Sequence, residues 1–210
     1  MTTPDSASFW DEKYMNNEAH WDMRTPTPVF NDLLESGEFM KPGKILIAGC
    51  GKGYDAILAA KKGYDVYAVD FSVEAIKLAR ELADKENVKL NLVHEDIFKL
   101  DSVYAGHFDY VYDYVTYCSV LPERRREYAG KIGKLLKEEG KLIAILFPVE
   151  DRNGGPPYAV DVKEFYELFS EHLQLKFSSK KINSIKPRRG REVLQVYIKK
   201  ELHIDNADKP

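Results

Sequence analysis

Between Ile47 and Asp55 the chain reads IAGCGKGYD, with glycines at alternate positions where an apolar run gives way to a helical pattern. Gly49, Gly51 and Gly53 let the backbone turn sharply and approach a ligand without a Cβ in the way. In an open α/β sheet such a turn faces the crevice at the carboxyl ends of the strands. Asp70 ends the next apolar run, DVYAVD, with Phe71 after it. A carboxylate at that place can accept hydrogen bonds from both hydroxyls of a ribose. Glycine-rich strand–helix turns also bind dinucleotides or simply pack tightly, but with Asp70 in place a nucleoside site is the stronger reading. The dinucleotide pattern G-x-G-x-x-G would need its third glycine at Tyr54, where a side chain blocks the approach of a pyrophosphate. HEDIF (His94 to Phe98) follows the third apolar run and sets Asp96 and Ile97 just past its end.

The elements that must position these groups follow from periodicity. Phe9 to Trp21 is rich in aromatics but has no clear period. TPTPVFNDLLESG (Thr25 to Gly37) reads as a short helix with prolines before it and glycine after. KILIA, DVYAVD, VKLNLV, FDYVYDY and KLIAILF are strands. YDAILAAKK and SVEAIKLARELADK are helices between them, the second with Ser72 as N-cap and Ile76, Ala79 and Ala83 on one face. Another helix opens at Pro122, presents Tyr128, Ile132 and Leu135, and is expected to end at Gly140. Asp161 and Glu164 form a capping box for a helix burying Val162, Phe165 and Phe169. LQLKFSSKKI and EVLQVYIKK, separated by PRRGR, read as a hairpin. Strands alternating with helices imply parallel pairing through right-handed crossovers. The expected fold is α/β: a doubly wound, Rossmann-like, mostly parallel seven-stranded sheet with a C-terminal antiparallel hairpin. Residues 1–210 are expected to form one domain, with 1–40 capping the site.

The bulk numbers narrow the function. The 210 residues are 44% hydrophobic and 31% charged, with a net charge of −3. That is the composition of a soluble globular chain with no general pull toward nucleic acid or an anionic membrane. The polar MTTPDSAS start is not expected to be a secretory signal, and no apolar run is long enough to span a bilayer. Cys50 and Cys118 have no metal-ligand spacing, and the histidines are scattered, so no metal is expected. The thiols read as small buried fillers in a reducing, cytoplasmic compartment. Arg124, Arg125 and Arg126 are expected on a solvated helix face, and PRRGR at a soluble hairpin tip. The oligomeric state expected is a monomer.

The terminal hairpin fits methyltransferases that use S-adenosylmethionine (SAM) better than dehydrogenases. The series W-x3-Y-x6-WD (Trp10, Tyr14, Trp21, Asp22), AGCGKG, VD at 69–70, DIF, FDYVYDY followed by Tyr117-Cys118, and FPVEDRNGGPPY (Phe147 to Tyr158) resembles the thiopurine S-methyltransferase superfamily, within it the thiol and halide methyltransferase branch. The middle aromatic, a tryptophan in much of that family, is Tyr14 here, and the proline that often precedes the loop glycine is Ala48. The resemblance implies SAM contacts from Trp10, Tyr14, Trp21, Gly49, Asp70, Asp96, Ile97 and Tyr114. Aromatic faces hold a sulfonium by cation–π attraction, on the order of 0.5–2 kcal/mol each. Thiolates and halides are already good nucleophiles, so positioning and water exclusion suffice and no dedicated base is required. If a neutral thiol enters, Asp22, Asp113, a tyrosine hydroxyl or water is available to take its proton, and Tyr117 is placed to touch the nucleophile. In RNGGPPYAV (Arg152 to Val160), Arg152 is expected to attract an anionic acceptor, Pro156 to stiffen the loop, and Tyr158 to hang over the acceptor. The alternatives are an oxygen, nitrogen or metalloid acceptor on the same fold, or a SAM-binding regulator without catalysis.

Overall fold

The computed structural model describes residues 3–100 and 102–200. Seven strands form one sheet in the order β3-β2-β1-β4-β5-β7-β6. Strands β1 (Lys44–Ala48), β2 (Asp65–Asp70), β3 (Asn91–His94), β4 (Phe108–Tyr114) and β5 (Leu136–Leu146) pair in parallel. Strand β7 (Val193–Lys199) runs antiparallel between β5 and β6 (Leu173–Ser179). The expected doubly wound sheet with a terminal hairpin is therefore the fold observed.

The helices cover both faces. On one, α5 (Arg125–Leu135) and α6 (Val162–Phe169) bring Tyr128, Ile132, Phe165 and Phe169 onto Leu46, Val111 and Leu142. On the other, α2 (Pro28–Ser36) and α3 (Tyr54–Lys61) pack Phe30, Leu33 and Ala59 against Ile45, Ile47 and Ile143. Burial on both faces is why β1 is almost uniformly apolar. Two of the predicted N-caps form, while Glu164, the expected second half of a capping box, pairs with Arg125 instead. Ser72 Oγ accepts from Ala75 N–H to open α4 (Val73–Lys85), and Asp161 accepts from the Lys163 and Glu164 amides to open α6.

Four local features differ from expectation. Residues Ala7–Met15 form a helix, α1, although its sequence lacks an apolar stripe and none of its residues is fully buried. Strand β3 starts at Asn91 because Val88 is used to finish α4: Asn87 is left-handed, and the Val88 amide returns to the Ala83 carbonyl. Helix α5 stops at Leu135, and Gly140 lies inside β5. There Glu139 has φ +61°, and a Cβ on Gly140 would lie 2.8 Å from the Lys137 carbonyl oxygen. The glycine thus serves a bulge beside Phe108 and Tyr110 instead of a helix end.

Arg125 is the fourth correction. It is 3% exposed, donates to Glu164 and to the Ala159 carbonyl at 2.8 Å each, and lies over the Tyr117 ring. It ties α5 to the end of the proline loop and to α6. Replacing Arg125 with alanine removes a charged hydrogen bond to backbone and is expected to lower unfolding stability by about 2–3 kcal/mol. Urea unfolding followed by circular dichroism checks this. A midpoint equal to that of the unaltered chain would mean the tie contributes nothing.

Candidate active site

The site is built where β1, β2 and β4 end. Gly49, Gly51 and Gly53 have φ of +53°, +52° and +81°. A Cβ on Gly49 would sit 2.5 Å from Thr116 Oγ1, which donates to the Ala48 carbonyl, so the turn is closed by contact as well as by dihedral. Behind it, Asp70 is 9% exposed and accepts from the Gly51 amide at Oδ2 and the Ser72 amide at Oδ1, both at 2.9 Å. Burial raises its pKa to about 6, offset in part by those two amides. Each carboxylate oxygen keeps lone-pair capacity toward the cavity in front.

That cavity has a volume of about 560 Å³, within the usual range for small-molecule sites. Gly49, Val69, Asp70, Phe71, Asp96 and Ile97 line one end. Asp96 is fixed by its own turn, accepting from the Phe98 amide at 3.0 Å. Trp10, Tyr14 and Trp21 form a roof, with Trp10 and Tyr14 edge-on to Trp21 at centroid distances of 5.1 and 5.6 Å. Burial, followed by the charge of Asp70, pushes the Tyr14 hydroxyl far above its ordinary pKa, so it stays protonated.

The opposite end is lined by Phe147, Arg152, Pro156, Pro157, Pro187, Arg188 and Arg191. The PRRGR segment is thus part of the wall, correcting the expectation of a solvated tip. Arg188 is 4% exposed, donates through Nη2 to the Trp21 carbonyl at 2.6 Å and has its guanidinium 4.8 Å from both the Tyr114 and Phe147 ring centroids. Its Nη1 is buried with no hydrogen-bond partner among the described residues. The arginine pair carries no periodic or motif signal that distinguishes it from a soluble turn, which is why sequence reasoning passes over it. Arg191, which donates to Glu150, also faces Phe147.

Several expected residues lie elsewhere. Tyr114 is outside the main cavity, donating to Glu192 at 2.7 Å and lining a smaller side pocket beside the glycine turn. Asp22 lines the same side pocket, paired with Lys52 at 2.8 Å. Tyr117 is buried among Phe165 and Phe169 and does not reach the cavity. Tyr158 is turned into its own loop: a Cβ on Gly155 would lie 2.5 Å from its ring, and its amide donates to the Cys118 carbonyl. The prolines, and not the tyrosine, face the cavity. Arg152 does line it, as an exposed side chain.

Besides Asp70 and Asp96, the carboxylates and histidine that line the cavity are Asp5, Glu18, His20 and Glu95, at exposed or half-buried positions, with Glu18 paired to Lys13 and Glu95 accepting from the Asp96 amide. Asp113 is buried and accepts from Tyr128 Oη at 2.7 Å and from the Thr116 and Tyr117 amides. Cys118 lines the cavity, but burial pushes its thiol up to about 12. No cluster of His, Cys, Asp or Glu suited to a metal occurs among the described residues.

The family model described as thiopurine S-methyltransferase matches residues 5–203. A probable thiol methyltransferase 2 of Arabidopsis thaliana is 32% identical over 200 residues, covering 92% of this chain and 86% of the relative. Thiocyanate methyltransferase 1 of the same plant is 30% identical over 191 residues, covering 88% and 82%. Among solved structures, the 1,6-didemethyltoxoflavin-N1-methyltransferase of Burkholderia thailandensis, crystallised with S-adenosylhomocysteine (SAH), superposes with a TM-score of 0.73. It is 20% identical and covers 96% of this chain and 92% of its own, which establishes the shared fold.

If Asp70 receives a ribose, its charge state sets affinity. With the carboxyl raised to about 6, it is ionised above that pH and protonated below it. SAH affinity is expected to be level above pH 7 and to fall about tenfold per pH unit below about 6. In Asp70→Asn that pH dependence should disappear along with most of the affinity. Calorimetric titrations at pH 5, 6 and 7.5 make the comparison, and a pH-independent wild-type affinity would contradict the assignment.

Proposed function

The chain belongs to the thiopurine S-methyltransferase family, and from that premise we propose that it moves the methyl group of SAM to a small soft nucleophile: a thiol, thiocyanate, bisulfide or halide. It is a SAM-dependent S-methyltransferase acting on a small-molecule acceptor. The observation that supports the choice of acceptor is the buried Arg188 guanidinium in the cavity wall, at the end away from Asp70. A small anion is the ligand such a group would stabilise in apolar surroundings.

SAM, when bound, supplies a methyl group activated by a positively charged sulfonium. The chain fits it. The glycine turn packs against Thr116, Tyr14 and Ala79 where side chains would clash, bringing the Gly51 amide onto Asp70, and the buried Asp70 carboxylate has acceptor capacity left for ribose hydroxyls. In this reading Gly49, Gly51 and Gly53 allow the close approach, with Phe71, Asp96 and Ile97 around the adenine. Trp10, Tyr14 and Trp21 present aromatic faces to the positive centre, while Tyr114 and Asp22 act from the side pocket. Arg188, with Arg152 at the rim, holds the acceptor, and Phe147, Pro156 and Pro157 keep water out of its path. Positioning and desolvation supply most of the rate for such nucleophiles, so no side chain is assigned as a base. The reading takes the enzyme as a cytoplasmic monomer without nucleic-acid or membrane partners. The net charge of −3 gives no general attraction toward nucleic acid or an anionic membrane.

Turnover should therefore be seen with thiocyanate, bisulfide, iodide or an aryl thiol, read as SAH formed, and not with catechol or a simple amine. Product formed only with catechol would refute the soft-nucleophile reading. SAM binding without product from any acceptor would point to a regulator. Arg188→Met is expected to raise the KM of an anionic acceptor by about 10–100-fold, the value of a lost charged hydrogen bond, with SAH affinity changed far less. An unchanged acceptor KM would remove Arg188 from the acceptor site.

A further inference from the structure

Helix α1 carries two of the three roof aromatics yet buries none of its residues fully and has no side-chain cap at its N-terminus. Its position therefore depends on contacts at its edges. Asp11, one residue after Trp10, faces away from the cavity and toward the start of α4. Its Oδ1 accepts from Ser72 Oγ at 2.6 Å and from the Glu74 amide at 3.3 Å. The amides of a helix start have no partners within the helix, and a negative charge there is favoured by the dipole.

Ser72 has a second task. Its own amide donates to Asp70 Oδ1 at 2.9 Å, and its hydroxyl accepts from the Ala75 amide at 3.1 Å. One serine thus stands between two carboxylates, Asp70 at the ribose end of the cavity and Asp11 behind the roof. On the other side of α1, a Cβ added to Gly51 would come within 3.0 Å of Tyr14 Oη, and Gly51 is the second residue whose amide holds Asp70. Roof and ribose anchor meet at the same two backbone positions.

We propose that Asp11 is a positioning residue for cofactor binding: through Ser72 it fastens the aromatic roof of α1 to the residue that holds Asp70, so that roof and ribose site form together. Asp11 does not line the cavity and touches no reacting atom. The inference rests on the cofactor reading given above.

The test is calorimetric binding of SAH to the full-length protein and to Asp11→Ala, Asp11→Asn, Trp10→Ala and the Asp11→Ala/Trp10→Ala double variant, with melting temperatures alongside. Asp11→Ala should weaken SAH binding about tenfold, the low end for loss of a hydrogen bond to a charged group. Its melting temperature should fall by no more than about 2 °C, because α1 adds little to the core. Asp11→Asn keeps an oxygen that accepts from Ser72 and should stay within about threefold of wild type. Once Trp10 is gone, Asp11→Ala should add less than about twofold, since the two act as one unit. Wild-type binding matched by Asp11→Ala, equal losses in the alanine and asparagine variants, or full additivity with Trp10→Ala would each overturn this inference alone. Absence of SAH binding to the wild type would overturn the cofactor reading and this inference with it.

Discussion

A carboxylate buried at the end of a strand is unfavourable unless its oxygens are satisfied, and at Asp70 two backbone amides do this. That requirement organises the molecule around it. The Gly51 amide can point at Asp70 because the turn after β1 runs through left-handed glycines. The Ser72 amide can do so because α4 begins immediately after β2, with the same serine as its cap. β1 and β2 lie side by side in register from Lys44 with Asp65 to Ala48 with Val69, which sets the two donors at one height. Parallel pairing, a glycine turn and a capped helix converge on one anionic group with acceptor capacity left over.

The rest of the cavity surrounds that group with apolar and aromatic surface and places a single buried guanidinium far from it. The buried protonatable groups in and behind its wall are engaged otherwise. Asp113 is bound by Tyr128 and two amides, Tyr117 is packed in the core, and the Cys118 thiol is held protonated by burial. A site of this kind is well suited to holding two reactants in line while excluding water. Methyl transfer to a nucleophile that needs no activation makes that demand and little more.

The sheet was legible because buried parallel strands are written as apolar runs, and α4 and α6 because Ser72 and Asp161 announce their starts. The glycine turn with Asp70 was legible because few residue types satisfy those positions. Helix α1 was not, since its aromatics face a cavity instead of a core and leave no periodic stripe. Gly140 misled because glycine serves a bulge as readily as a helix end. Arg125 and Arg188 were read as solvated because sequence offers no sign that a charged residue is buried. Their partners, Glu164, the Ala159 carbonyl and the Trp21 carbonyl, come from distant segments. Tyr158 drew attention by its type, whereas the neighbouring prolines reach the cavity.

In the proposed arrangement one cavity holds the methyl donor at its Asp70 end and an anionic acceptor at its Arg188 end. A crystal structure of the protein with SAH and thiocyanate tests it most directly. Expected are both ribose hydroxyls within hydrogen-bond distance of the Asp70 carboxylate, the adenine beside Ile97, and the thiocyanate on the Arg188 guanidinium with the SAH sulfur directed toward it. A nucleoside seated against Arg188, or thiocyanate bound outside the cavity, would contradict it.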